Sequence, residues 1–456
     1  ISQRKRGVMI DINLLRADKG GDPEIVRESQ RKRGASVELV DEIIALDQEW
    51  VSVSFQRNQL RKEKNSLSKQ FGIAKRNKTP TDELAAQISV VGKQLEELEA
   101  REIVLITQRD AKLGKVGNLV YHDVPVSQTE DDNEVVRTFG ECRVPEEGET
   151  LLNHVYLLER LGATDTYRGS RTAGNRGYYL TGPGVMLNMA LIQYGLQFLG
   201  GRGFTPVQTP FMMRKDAMAK VAQLEQFDEE LYKVSGEGDD KYLIATSEQT
   251  ICAFHMEETL SQESLPVRYA GYSTCFRKEC GRHGIDTLGI FRIHQFEKIE
   301  QFMITDTESS WEAQSEMITN SEEFYQSLNI PYRVINIVSG ELNNAAAKKL
   351  DLEAWFPGGA QFRELVSCSN CLDYQSRRLG IRSDKGKAFV HMLNSTLSAT
   401  ERTICAIVEN NQTKDGVVVP EALRPFMGGV DFLPFVQVSR TEEKMKKEAK
   451  GKRGKK

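Results

Sequence analysis

The stretch from Thr274 to Glu300, TCFRKECGRHGIDTLGIFRIHQFEKIE, alternates cations, aromatic rings and carboxylates as a nucleotide-binding hairpin requires. Phe276-Arg277 and Phe291-Arg292 flank a Gly-containing polar segment, and Phe296, Lys298 and Glu300 follow. On antiparallel strands residues two apart share a face, so Arg277 and Glu279 are expected to point into one site while Lys278 points away. The same spacing puts Arg292, Phe296 and Glu300 together on the returning strand. Guanidinium groups suit a triphosphate because their planar fork matches phosphate oxygens and stays charged at any working pH. A solvated charged hairpin would show the same pattern, so the run alone leaves both readings open.

The elements that must carry this hairpin are written in the periodicity. From about residue 136 to 438, helical patterns (Gly184 to Gly200, Ser247 to Glu258, Thr307 to Leu328, Leu397 to Gln412) alternate irregularly with strand-like runs (Lys241 to Ala245, Tyr332 to Val338, Phe389 to Leu393). They do not form regular βαβ units, so the expectation is α+β, an antiparallel sheet flanked by helices. Neither a G-x-x-x-x-G-K-[ST] loop nor a G-x-G-x-x-G after a strand is present, which removes two common nucleotide-binding solutions. Upstream, apolar residues at Leu39, Ile43, Leu46, Trp50, Val53, Leu60, Leu67 and Phe71 alternate by four and three, interrupted at Arg57 and Lys64. A second such run, Leu84 to Leu105, is broken only at Glu102, and Gly72 and Pro80 lie between the two. Two long helices with a short connection predict an antiparallel coiled-coil arm over about 36–112. Residues 57–78 carry eight basic side chains against one acidic, more one-sided than a solvated coil needs, and Arg57, Arg61, Lys62, Lys64, Lys69, Lys75 and Arg76 are the candidate RNA contacts. A dimerisation coil is the alternative.

Composition narrows the class. With 456 residues and 28% charged side chains the chain is long enough for two or three domains. Its net charge of -4 splits into a body near -10 and a tail near +6, because Arg440 to Lys456 holds nine basic and three acidic residues. A disordered basic tail over 439–456 is expected. Seven cysteines without a secretory leader fit a reducing, cytoplasmic setting. No apolar run approaches the roughly 20 residues of a membrane span. Cys275, Cys280, Cys368 and Cys371 are a conceivable zinc set, but each pair lies in a segment with another explanation, so no structural zinc is expected. SQRKRG occurs at both 2–7 and 29–34 with nothing repeated around it, so residues 1–8 read as a leader or expression remnant before Met9.

Six ordered segments carry a resemblance to the seryl-tRNA synthetases of the cytosolic eukaryotic type. They are LIQYGLQFLGGRGFTPVQTP, FDEELYKV, TSEQT, the hairpin above, FRELVSCSNCLDYQSRRLGIR and HMLNSTLSATERTICAIVENNQ, within a match from Met9 to about Val436. The resemblance implies a class II catalytic domain over 136–438, an N-terminal tRNA-binding domain over 9–115 and a linker over 116–135. It also implies a homodimer that activates L-serine with ATP and Mg²⁺ and charges tRNA(Ser), with tRNA(Sec) open as a second substrate. By it, Arg277 grips the α-phosphate and the serine carboxylate, and Glu279 accepts from adenine. Phe296 and Arg402 sandwich the base, and Arg292 and Arg402 reach the γ-phosphate. Lys278, Ile293, Leu365 and Val366 complete the nucleotide site, while Glu364 and Ser367 hold Mg²⁺. Thr246 and Glu248 hold the serine ammonium, and Glu300, Asn394 and Thr396 surround its hydroxyl. Arg277, Arg402 and Glu364 are the implied catalytic set.

One loop departs from the pattern. Where bacterial members often have Gly-Arg-Asp-Thr-Arg-Gly, this chain has Gly284-Ile285-Asp286-Thr287-Leu288-Gly289, so acceptor-end contacts are expected to differ. A catalytically silent paralogue acting as an RNA-binding or scaffold protein would have lost Arg277, Glu300 or Arg402, and a ligase charging a carrier protein would lack the basic arm. All of these features are retained. Deleting residues 36–112 should abolish tRNA charging and spare adenylate formation, measured as pyrophosphate exchange; loss of both would make the arm structural.

Overall fold

The computed structural model describes residues 10–222, 230–236, 238–279 and 288–444, divided into two compact units, Ile1–Leu119 and Val120–Lys456. The expected leader or remnant at 1–8, part of FDEELYKV, the loop residue Ile285 and the tail beyond Lys444 lie outside the described residues.

In the first unit α1 (Pro23–Lys32) precedes two long helices, α2 (Glu38–Arg76) and α3 (Asp82–Leu113). At 1.5 Å per residue their 39 and 32 residues span about 58 and about 48 Å. Ion pairs Glu42–Lys112, Arg57–Glu102 and Arg61–Glu99 descend α3 as they climb α2, which fixes the antiparallel sense. Ile43 and Leu105 are fully buried in the seam. The breaks in the two apolar runs have a shared cause, because Arg57 and Glu102 meet each other across the interface. Lys64 lies along Gly92, where an added Cβ would be 3.5 Å from its ammonium. At the base of the arm the buried residue is Asp47 rather than its neighbour Leu46, held by Arg16 at 2.6 Å and Arg109 at 2.8 Å. Burial pushes this carboxyl up, but the two guanidinium groups prevail and hold it below the usual range.

The second unit is built on eight strands: β1 (Glu134–Phe139), β2 (Thr205–Gln208), β3 (Val267–Phe276), β4 (Gln295–Thr305), β5 (Tyr332–Asn336), β6 (Lys348–Phe356), β7 (Gln361–Asn370) and β8 (His391–Ala399). Their spatial order is β1-β5-β6-β7-β8-β4-β3-β2, antiparallel throughout except that β2 runs parallel to β3. The helices that matter for the site are α4 (Pro183–Gly200), α5 (Ser247–Cys252), α6 (Ser310–Ser327) and α7 (Thr400–Asn410). The odd residues of β4 face helices: Ile299 lies against Gly195 of α4, and Gln301 donates to the Met317 carbonyl of α6. The even residues turn to the opposite face, where Phe302 and Ile304 pack with Ile251 and Cys252 of α5, Phe296 and Lys298 line a cleft, and Glu300 lies buried against Lys298.

Several expected boundaries move. Leu397 to Ala399 were expected to be helical, yet they close β8 because the ladder with Lys298 and Ile299 extends that far. The helix from Ser247 stops at Cys252. Much of 116–135 is packed rather than free: Val116 is buried in the first unit, Val124 in the second, and Glu134 opens β1. Since the partly buried Arg57 would lose its partner, Glu102→Ala should destabilise the arm by about 1–3 kcal/mol. Replacing both Arg57 and Glu102 with leucine should recover that loss. Amide hydrogen exchange along α2 and α3 of the intact protein checks this, and unchanged protection in Glu102→Ala would refute it.

Candidate active site

Two β-bulges build the site. Along β7, Ser367 pairs with Asp351 and Val366 with Leu352, but the register then slips so that Glu364 pairs with Glu353. Leu365 is the extra residue. Residues three apart in a regular strand face opposite ways, and the bulge therefore brings Glu364 and Ser367 to one face. The same device operates between β4 and β8. Ser398 pairs with Ile299 and Thr396 with Glu300, leaving Leu397 extra, so that Thr396 and Ala399 both line the cleft.

Behind Lys298 and Thr396 of the cleft two acidic side chains converge. Glu300 is 2% exposed; its Oε2 lies 2.5 Å from Lys298 Nζ and accepts from Thr396 Oγ1 at 3.3 Å. Glu248, in the first turn of α5, accepts from Gln375 Nε2 at 2.9 Å, and Thr246 caps that helix by accepting from the Glu248 amide at 3.3 Å. Burial, reinforced by the charge of Glu300, pushes the Glu248 carboxyl up to about 7. α5 reaches the sheet over Gly271, the cross-strand partner of Glu300, where a Cβ would sit 2.4 Å from Ile251 Cδ1 and 2.9 Å from Ser247 Oγ. Asn394, two residues before Thr396, directs its amide to the Cys371 thiol at 3.8 Å.

The remainder of this open cleft, about 410 Å³ with the solvent at its mouth, is cationic and aromatic. Arg277, Arg292, Ile293, Phe296, Leu365 and Arg402 line it. Arg277 donates to the Ala245 carbonyl at 3.4 Å, and its guanidinium carbon lies 5.3 Å from the Phe296 ring centre. Arg402 donates to the Glu364 carbonyl at 3.2 Å and lies 4.9 Å from the ring centre of Phe291. The Glu364 side chain is half exposed; desolvation pushes its carboxyl up, but Arg402, Lys349, Arg277 and Arg292 prevail and hold it below the carboxylate range.

Strand geometry ends sooner than the spacing implies. Arg292 precedes β4 rather than lying on it, and Glu279 follows β3 with φ +48°, a left-handed value costly for a side-chain-bearing residue. The two meet by folding back: the Glu279 carboxylate lies 3.7 Å from Arg292 and equally 3.7 Å from Arg176. Arg402 and Phe296 share the cleft, but the ring beneath Arg402 is Phe291. Lys278 is placed by its backbone, whose amide donates to the Glu230 carbonyl at 3.0 Å, while Val366 is fully buried. On the arm Lys62, Lys69, Lys75 and Arg76 are exposed, whereas Arg57 and Arg61 are engaged by α3 carboxylates. Sequence reasoning missed Arg176, Gln375 and Glu401. Arg176 and Gln375 are remote in the chain and carry no local signal, while Glu401, adjacent to Arg402, was overshadowed by it. The Glu401 carboxyl lines the cleft and is pushed up to about 8 by burial. Cys275 and Cys368 are core residues, with burial raising both thiols.

An antiparallel sheet carrying its charged cleft on one face, with the final strand running straight into an arginine-bearing helix, defines a class II aminoacyl-tRNA synthetase core. Residues 232–411 match the family model of the tRNA synthetase class II core domain (G, H, P, S and T), and 9–120 match the seryl-tRNA synthetase N-terminal domain. The chain is 59% identical over 438 residues to the cytoplasmic serine–tRNA ligase of Arabidopsis thaliana, covering 94% of this chain and 96% of that one. It is 52% identical over 437 residues to the Schizosaccharomyces pombe counterpart, with 94% and 97% covered. The Naegleria fowleri cytoplasmic ligase in complex with AMP has TM-score 0.88 at 49% identity, covering 95% of this chain and 100% of that one. Pyrococcus horikoshii seryl-tRNA synthetase complexed with ATP gives 0.88 at 41%, covering 94% and 100%. The chain belongs to the seryl-tRNA synthetase family and is a serine–tRNA ligase.

Crowding at Gly271 makes a direct prediction. Gly271→Ala should displace α5 and raise KM for serine roughly tenfold, the equivalent of about 1.4 kcal/mol of overpacking, with KM for ATP within about twofold; steady-state pyrophosphate exchange measures both. A second concerns pH. An ammonium held at Glu248, the role the resemblance implies, requires that carboxylate ionised, so kcat/KM for serine should rise through a limb centred near pH 7, set by the raised carboxyl, and that limb should vanish in Glu248→Gln.

Proposed function

We propose that this cleft catalyses both halves of serine charging, with the amino acid at the Glu248–Glu300 end and ATP along the arginines. The observation that carries the reading is the approach of two carboxylates, the buried Glu300 and the part-buried Glu248, beside Lys298 and Thr396 of a cleft that Arg277, Arg292 and Arg402 also line. Glu248 holds the ammonium and Glu300 the hydroxyl, and Arg277 sits between them and the nucleotide. In the first half-reaction a serine carboxylate oxygen attacks the α-phosphorus and pyrophosphate leaves. The attacking carboxylate is already ionised, so the protein supplies position and charge neutralisation rather than a base. In the second, a ribose hydroxyl of the terminal adenosine of tRNA(Ser) attacks the carbonyl carbon of the adenylate and AMP leaves.

Phe296 supplies a face for the adenine ring, and Glu279, steadied by Arg176 and Arg292, is placed to accept from its amino group. Glu364, kept anionic by its cationic neighbours and brought to the face of Ser367 by the Leu365 bulge, fits a Mg²⁺ site. That ion prefers a few oxygen ligands from the protein, and when bound it neutralises phosphate charge. Exposed Lys62, Lys69, Lys75 and Arg76 suit phosphate contacts with the tRNA. Val185, Met186 and Met189, all more than 40% exposed on α4, form an apolar face that a homodimer would cover. The cytoplasmic setting rests on the names of the relatives and on the cysteine usage.

A missing hydrogen-bond partner penalises alanine, and lack of room penalises threonine. Discrimination against alanine should be on the order of 10⁴, because the second oxygen of the buried Glu300 carboxylate is left without a hydrogen bond when the hydroxyl is missing. The wild type should therefore exchange pyrophosphate into ATP with serine and only weakly with alanine or threonine, and Glu300→Ala should lose the serine reaction. Equal exchange with threonine, or none with serine, would refute the assignment.

A further inference from the structure

Lys298 has no part in the reaction as described, yet it is the most deeply placed cation of the cleft, 6% exposed on β4 between Phe296 and Glu300. Burying an ammonium is costly unless it is paired, and its partner is Glu300, at 2.5 Å. The geometry of that carboxylate is specific. Lys298 Nζ and Thr396 Oγ1 both engage Oε2, and among the described residues no hydrogen bond goes to Oε1. One oxygen is thereby held by the protein, and the other is left without a hydrogen bond among the described residues.

We propose that Lys298 is a positioning residue that fixes the orientation and charge of Glu300, so that the amino-acid pocket offers one oxygen to a hydroxyl and one net negative charge to an ammonium. The proposal deepens the serine reading and rests on it. The charged groups that face this pair are few. Glu248 comes from α5, Arg277 from the end of β3 and Glu401 from α7. The thiols of Cys275 on β3 and Cys368 on β7 also lie within reach, and burial keeps both protonated. Arg277 is committed to the carboxylate and α-phosphate and burial pushes the Glu401 carboxyl up, so the pocket consists of Glu248, Glu300 and Lys298. Once Glu248 is ionised, above its raised value of about 7, two anions and one cation leave a single negative charge, the complement of one ammonium. Without Lys298, Glu248 and Glu300 would face each other as two buried like charges, and the pair would retain a proton at neutral pH. Either the ammonium would lose its counter-ion or the hydroxyl would meet a carboxyl free to rotate.

The experiment uses the full chain, with serine-dependent pyrophosphate exchange followed from about pH 6 to about pH 9. Lys298→Met should raise KM for serine by roughly tenfold to a hundredfold at neutral pH while KM for ATP stays within about twofold. The ascending limb of kcat/KM for serine should move up by more than about one pH unit, so that part of the loss is recovered in alkali. Lys298→Arg, which keeps the charge, should restore most of the affinity. Lys298→Met combined with Glu300→Gln should return the limb to its wild-type position while serine affinity stays low, and this variant decides the matter if the single one does not fold. The same loss at every pH, an equal rise in KM for ATP, or a wild-type profile in Lys298→Met would overturn the proposal. A wild type inactive with serine would instead overturn the serine reading itself.

Discussion

A regular β-strand turns residues three apart to opposite sides of its sheet, and this site needs two such pairs on the same side. Glu364 with Ser367 on β7, and Thr396 with Ala399 on β8, become neighbours only because Leu365 and Leu397 are each one residue too many for the ladders they interrupt. Each bulge leaves its strand long enough to span the core while re-aiming the side chains that follow. The consequences extend outward. Ala399 reaches the cleft edge as β8 ends, so α7 starts there and Arg402 enters on its first turn. Glu300 meets Thr396 directly across the ladder, and Gly271 on the other side of β4 clears the approach of α5 with Glu248.

On that face the decisive balance is electrostatic. Carboxylates and guanidinium groups stand close enough that none can be understood alone. Glu364 is held ionised because four cations outweigh its desolvation, whereas Glu248 and Glu401, with burial dominant, are pushed towards neutrality. One cleft thus contains acidic groups tuned in opposite directions by their surroundings, as a site binding an anionic nucleotide and a cationic ammonium side by side demands. The arm solves a related problem differently. There Arg57 and Glu102 neutralise one another inside an apolar seam, which suits a device for register more than for stability.

Much of this was legible in the residues. The 3.5-residue period exposed both arm helices, and the Phe-Arg pairs exposed the hairpin of β3 and β4. Bulges were not legible, because a period of two carries no mark of an inserted residue, and the run around Leu397 has an apolar spacing that a helix satisfies as well. Arg57 and Glu102 looked like separate interruptions until the helices were side by side. Lys298 stood in view between Phe296 and Glu300, but only the ladder shows that it spends its charge on its neighbour. Arg176 lies about a hundred residues from Glu279, and no local pattern connects them.

The most direct test is a crystal structure of the protein with a non-hydrolysable seryl-adenylate analogue. The account places the serine hydroxyl within hydrogen-bond distance of Glu300 Oε1, the ammonium at Glu248, the adenine ring on Phe296, and Lys298 still bonded to Glu300 Oε2. An analogue bound with its ammonium on Glu300, or with Lys298 released from Glu300 to contact the phosphate, would contradict it.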